Sequence, residues 1–176
     1  MATAPLSQSQ SYLLNWLTGQ PPVEWHKVAT SWNWDNSLAV LQWITTQPGC
    51  ERATAQHIFW TGEPGNFLQF PDPAALLASG YGYVELFDLL KTIADRWVAG
   101  GFQGREIGSS QVMETRWSDM REYPKEELQY QANGLPWCID EDMMADFDGM
   151  YPKSNDYEEG YPPAMAEYFR KMKISF

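Results

Sequence analysis

Nucleophilic chemistry in this chain would have to come from a few residues: Cys50 and Cys138, His26 and His57. Cys50 and His57 stand seven positions apart. A helix would put them on one face but about 10 Å apart along its axis. A Cys–His dyad needs thiolate and base within hydrogen-bonding reach, with a third group to orient the base. The spacing favours a thiol at a helix start and a half-buried imidazole. A Cys-dependent hydrolase built on Cys50 and His57 stays open as an alternative. No Cys-x-x-Cys or His-x-x-x-His pair is present. The run from Asp140 to Gly149 has the composition of a calcium loop. Placing Gly149 at the loop's sixth position puts Met144 first and Asn155 twelfth, where a bidentate Glu belongs. Paired carboxylates for glycoside hydrolysis carry no signal, because acids are so plentiful that some pair must be close. Gly80-Tyr81-Gly82 and the glycines at 100, 101 and 104 lack the phosphate-loop lysine and its strand context. A serine nucleophile elbow is absent. No catalytic residue, metal or cofactor is therefore assigned, and the chain is read as a non-enzyme.

Charge and rings supply the positive signal. Residues 117–160 hold twelve acids and three bases, a net of −9 out of −11 for the chain. Trp117, Tyr123, Tyr130, Trp137, Phe147, Tyr151 and Tyr157 are threaded through the same stretch. Clustered carboxylates steer basic partners, and aromatic side chains give contact area at low entropic cost. So many like charges close together also cost stability unless a cation offsets them. The expected contact residues are Asp140, Glu141, Asp142, Asp146, Asp148, Asp156, Glu158 and Glu159, with Trp137, Tyr151 and Tyr157 as anchors.

Composition excludes several other partners. The sequence pI is about 4.5 and only 12 Lys and Arg are present, scattered along the chain. That argues against nucleic acid and against anionic membrane surfaces. No run approaches the roughly 18 apolar residues of a membrane helix. Met1 to Gln10 lacks the basic and apolar regions of a signal peptide. Two cysteines do not make a disulfide framework. A cytoplasmic protein is expected. An apolar fraction of 44% supports one sizeable core, and 15% aromatic content implies that some rings stay exposed.

The elements that must position these residues read as helices. Ser7 or Ser9 can cap a first helix to Leu17, with Gly19 as its stop. Pro21-Pro22 opens a second, Val23 to Thr30. Asp35 or Asn36 is expected to cap a third, Ser37 to Thr46. A fourth runs from Glu51 to Trp60, and Asp72-Pro73 starts a fifth to Ala78. Tyr83 to Val98 has the longest helical period, with Val84, Phe87, Leu90, Ile93, Ala94 and Trp97 on one stripe. Lys125 to Ala132 and Asp140 to Phe147 read as weaker helices, and Pro163 to Lys173 as a closing one. Alternating strand patterns are almost absent. The fold expected is an all-α, irregular bundle of short helices: a helical body over 1–104, and an acidic, aromatic segment over 105–176 packed on it.

One stretch resembles a known family. Ser31-Trp32-Asn33-Trp34-Asp35 leads into a helix ending at Pro48. Cys50-Glu51-Arg52-Ala53-Thr54-Ala55 and a closing Phe59-Trp60 follow. This is similar to an uncharacterised bacterial domain family with an Asn-Trp-Asp entry, a Cys-Asp-x-x-Thr-Ala segment and a final Phe-Trp. Here Glu51 stands where that family usually has Asp. The resemblance implies a bacterial, intracellular, all-α protein of the small acidic kind found among immunity proteins. It carries over no catalytic residue. The matching residues have a structural reading: Asn33 and Asp35 as caps, Glu51 at a helix N-terminus, Ala53 and Ala55 for close helix approach, Phe59 and Trp60 in the core. The function expected is an immunity protein that neutralises a cognate, basic toxin or effector through its acidic, aromatic surface. An adaptor or chaperone for a secreted effector is the alternative.

Overall fold

In a computed structural model of the chain, which describes residues 6–109 and 136–176, helix α1 (Gln8–Leu17) starts at Ser7. The Ser7 hydroxyl accepts from Gln10 N while the Gln10 side chain accepts from Ser7 N, a reciprocal capping box. Helix α2 (Pro22–Thr30) has proline in its first turn, where no amide partner is needed. Helix α3 spans Ala39–Thr46. It begins two residues later than the sequence suggests, and neither Asp35 nor Asn36 caps it. Asn33 Oδ1 instead accepts from Asp35 N in a local turn, and the helix starts at Leu38 with no side-chain cap. Short polar side chains compete for nearby amides in this way.

Helix α4 (Arg52–Thr61) follows Pro48-Gly49. Helix α5 (Pro73–Ala78) is capped by Asp72, whose carboxylate accepts from Ala75 N at 2.8 Å. Helix α6 (Val84–Val98) buries Phe87, Leu89, Leu90, Ile93, Ala94 and Trp97. Near its end, Arg96 lies over the Phe102 ring and donates to the carbonyls of Thr45, Gln47 and Gly101. That guanidinium serves carbonyls at the C-terminus of α3, joining Cys50 N on Gln47 O. Helix α7 (Pro163–Met172) ends at Lys173 in the left-handed region, φ 56°.

Among the described residues there is no strand, only three isolated bridges. The architecture is an all-α bundle of short helices. Trp117, Tyr123, Tyr130 and the helix expected over Lys125–Ala132 lie outside the described residues. The helix expected over Asp140–Phe147 is one 3-10 turn, Glu141–Met144, followed by extended backbone at Ala145. Its carbonyls are held from the side by another helix, as described below, and do not continue a helical ladder.

Helix α4 sits at the centre. Arg52, Ala53, Thr54, Ala55, Gln56, Ile58, Phe59 and Trp60 are all buried, covering both sides of the helix. A helix buried all round must find partners for its polar residues. Helices α2, α3 and α6 pack on it. His26 of α2 meets Thr54 through an Nδ1–Oγ1 hydrogen bond of 2.9 Å. The rest of its polar face is turned to the C-terminal third, and this contact builds the candidate site.

Candidate functional site

Four polar residues of the Cys50–Trp60 stretch reach outward to fasten other segments. Glu51 occupies the cap position of α4 without capping it. Its carboxylate is buried and accepts from Glu106 N at 3.1 Å. Burial raises its pKa, while the amides of Glu106 and Ile107 pull it back down. The chain passes so close that a Cβ on Gly104 would lie 2.6 Å from a Glu51 carboxylate oxygen. A side chain there would force that carboxylate to shift. Arg52 N donates to Gly104 O at 3.3 Å, which completes the attachment of the 104–107 loop.

Arg52 places its guanidinium 5.0 Å from the Trp97 ring centroid and 4.8 Å from that of Phe147. Its side chain is 9% exposed and pairs with the Asp142 carboxylate at 2.9 Å. The planar guanidinium suits this combination of stacking and ion pairing, which an ammonium would not reproduce. One turn on, Gln56 Nε2 donates to Met143 O at 3.0 Å and Ala145 O at 2.8 Å. One turn further, Trp60 Nε1 donates to Met143 O at 2.7 Å. Positions 52, 56 and 60 recur at four and so form a single stripe. That stripe clamps residues 142–145.

The clamped segment continues on fixed rails. Ser109 N donates to Phe147 O, and Phe147 N donates to Ser109 Oγ, both at 2.9 Å. Met150 N donates to Glu106 O, and Gly108 N to Met150 O. Gly108 and Gly149 allow this approach: a Cβ on Gly149 would sit 2.6 Å from Gly108 N. The two loops enclose a cavity of about 300 Å³ lined by Arg52, Gly104, Arg105, Ile107, Asp146, Phe147 and Asp148.

The expected contact residues fall into two groups. Asp140 accepts from Asp142 N, Asp142 pairs with Arg52, and Asp146 and Asp148 are exposed at the cavity, all beside α4 and α6. The Glu141 side chain lies outside the described residues. Asp156, Glu158 and Glu159 are exposed on a second segment held by α2 and α7. There the Tyr157 hydroxyl donates to Glu24, Thr30 donates to Ser154, and Glu158 pairs with Arg170 at 3.4 Å. Burial pushes the Tyr157 hydroxyl pKa upward, and the Glu24 carboxylate adds to this. Gly160, φ 90°, lets the segment lie against Trp32, where a Cβ would meet the ring at 2.4 Å.

The aromatic anchors are placed differently from expectation. Trp137 is 2% exposed. Its ring meets Phe87 edge-on at 5.1 Å, and its Nε1 donates to Phe70 O at 2.8 Å. It fastens the acidic segment to the core and presents nothing to a partner. Tyr151 and Tyr157 are half-buried. Among the described residues the well-exposed rings are Tyr81 and Tyr83, at 41% and 66%, with Leu77 close by in sequence, and Tyr12 and Tyr168 elsewhere. Tyr81 and Tyr83 contact each other at 6.2 Å, and Phe70 flanks Tyr81.

The thiol and imidazole residues are deep inside. Cys50 is buried and donates to Glu51 O at 3.7 Å. Burial pushes its pKa up to about 12, against the opposing charge of Arg96. A thiol so held stays protonated, the reverse of what a nucleophile needs. His26 is buried as well, and burial together with the His57 charge lowers its pKa to about 3. Cys138 is exposed and Cys50 buried, and both are free thiols. Among the described residues no three His, Cys, Asp or Glu side chains gather as a metal site, and no helix is long and apolar enough to cross a membrane.

No curated protein and no solved structure matches this chain. Residues 20–98, the span from the start of α2 to the end of α6, match the model of a domain of unknown function, DUF4274.

Proposed function

We propose that this protein is an immunity-type inhibitor. It docks a basic toxin or effector protein through the acidic segment clamped to α4, and so blocks the toxin's working surface. One observation supports this above the others: Asp146 and Asp148 are exposed on a backbone held at Ala145, Phe147 and Met150 by side chains and amides of the body. Carboxylates on a fixed backbone bind without paying for loop ordering at the moment of contact. Their charge accelerates encounter with a cationic protein. A cytoplasmic location and a bacterial source fit the same reading.

The test uses four acids that form no ion pair among the described residues: Asp146, Asp148, Asp156 and Glu159. The partner is captured from the native host and its association with the full chain is followed by stopped flow. Reversing the four to Lys should slow association at least tenfold at low salt and much less at high salt. Expression of the wild-type chain should relieve growth arrest caused by the partner, and expression of the variant should not. Capture of a partner whose toxicity is unaffected by binding would favour the adaptor alternative. Equal association rates for the two chains would remove the acidic surface from the account.

A further inference from the structure

Helices α1 and α7 share a face that carries rings to the solvent. Tyr12 of α1 and Tyr168 of α7 are each 44% exposed, and Met172 is 57% exposed. The two tyrosine rings meet edge-on at 6.3 Å, and Tyr12 also lies 6.0 Å from the buried Phe169 ring. The rings are therefore set in place before anything covers them. Ala164, Tyr168 and Met172 are all exposed and recur at four, one stripe along α7. At about 100° per residue, Glu167 and Lys171 fall on one flank of that stripe. Tyr12, which touches Phe169, lies on the other. Glu167 and Lys171 pair with each other at 2.6 Å, and both stay largely in solvent.

Charge decides what can cover this face. With a formal charge of −11, most approaches of two copies bring acids against acids. This face is exempt. Helix α1 has no charged side chain, and α7 sets Glu167 against Arg170 and Lys171. An acid and a base one turn apart on one flank are complementary to the same flank of an antiparallel copy. A two-fold axis at the middle of the stripe keeps each flank on its own side. It brings Glu167 of one copy to Lys171 of the other. We propose that a second copy of this chain covers the face, in a two-fold dimer built on antiparallel α7 helices. Tyr168 meets its counterpart at the axis, and the small Ala164 leaves room for Met172 of the second copy. The two Tyr12 rings close the apolar flank, where the Met172 thioether gains from ring contact. Helix α7 has ten residues and rises about 15 Å, so the covered area falls below the roughly 800 Å² per partner of a stable complex. The dimer is therefore weak, with a Kd on the order of 100 μM. It is independent of the docking role argued above.

Sedimentation velocity of the full chain, from about 10 μM to about 1 mM, tests this around the Kd expected for so small an interface. The wild-type chain should pass from monomer to dimer over that range. Tyr168→Ser should raise Kd about tenfold, as loss of a central aromatic contact does. Met172→Ser should act in the same direction, and both variants should keep the far-UV circular dichroism spectrum of the wild type. Glu167→Lys and Lys171→Glu each place like charges across the axis. Either alone should raise Kd about fivefold, because each substitution acts twice in a two-fold dimer. An equimolar mixture of these two variants restores opposite charges across the axis and should recover the wild-type Kd. Loss of the pair within one helix cannot produce that rescue, since both chains in the mixture lack it. A monomer at every concentration, a dimer indifferent to Tyr168→Ser, or a mixture no tighter than the separate variants would each overturn the proposal.

Discussion

His26 shows how far a residue's environment can move its chemistry. Its ring is buried, bonded at Nδ1 to Thr54, and among the described residues its Nε2 has no hydrogen-bond partner. Burial and the nearby His57 lower its pKa from the ordinary 6.5 to about 3. The folded state therefore holds a neutral imidazole that the unfolded chain would protonate below pH 6.5. Stability from this group is fully present above that pH and is lost as the pH falls toward 3. Between those limits each pH unit should cost about 1.4 kcal/mol. A denaturant series from pH 7 to pH 4 should show this loss, and His26→Gln should flatten the slope; an equal slope in the variant would exclude His26 as its source. Gly104 is a second residue whose surroundings constrain its identity. Gly104→Ala drives a methyl into the Glu51 carboxylate, and overpacking of this kind costs about 1–3 kcal/mol. Thermal unfolding should register it, with Glu51→Ala in the same chain relieving part of the loss.

At the scale of elements, α4 is the scaffold on which the acidic segment is built. Gln56 and Trp60 each hold a backbone carbonyl of a different chain region, 83 to 89 residues away. Trp60→Phe keeps the ring in the core and removes only the donor, so its cost should be about 1 kcal/mol. Gln56→Ala removes the side-chain donor to Ala145 O and one of the two donors to Met143 O, and should cost about 1 kcal/mol. Together they should raise amide exchange across residues 140–148 while α6 stays protected. Exchange that rises uniformly over the molecule would show that the clamp is part of global folding and not a local fastening. Trp137 belongs to this scale too. A ring of that size, buried against Phe87, costs about 3–5 kcal/mol when cut to Ala. Trp137→Ala should therefore lower the melting temperature, a different signature from that of a surface anchor, whose loss would weaken binding at constant stability.

Over the whole molecule the formal charge of −11 governs encounter and folding alike. Raising ionic strength should stabilise the free protein, by screening repulsion among the acids, while slowing capture of a basic partner. A melting temperature that falls between low and moderate salt would count against this. The helices were legible because their signals are local: Ser7 with Gln10, Asp72 before Pro73, and the three-and-four spacing from Val84 to Trp97 lie within a few residues of each other. Caps read from residue type alone were less dependable, since Asn33 had the Asp35 amide within reach once the chain folded. The clamping contacts of Arg52, Gln56 and Trp60 could not be read, because each depends on a partner more than eighty residues away, although Trp60's place in the core was legible. The same holds for Trp137, whose place among acids looked like surface until Phe70 and Phe87 enclosed it. Sequence by itself determined the all-α class, the boundaries of the seven α-helices found among the described residues to within about two residues and the concentration of negative charge, because propensity, capping and composition act over short separations. Only the tertiary structure decided which acids share a cavity, which rings stay dry and which glycines admit a neighbouring backbone, because those depend on contacts between segments that meet only in the folded chain.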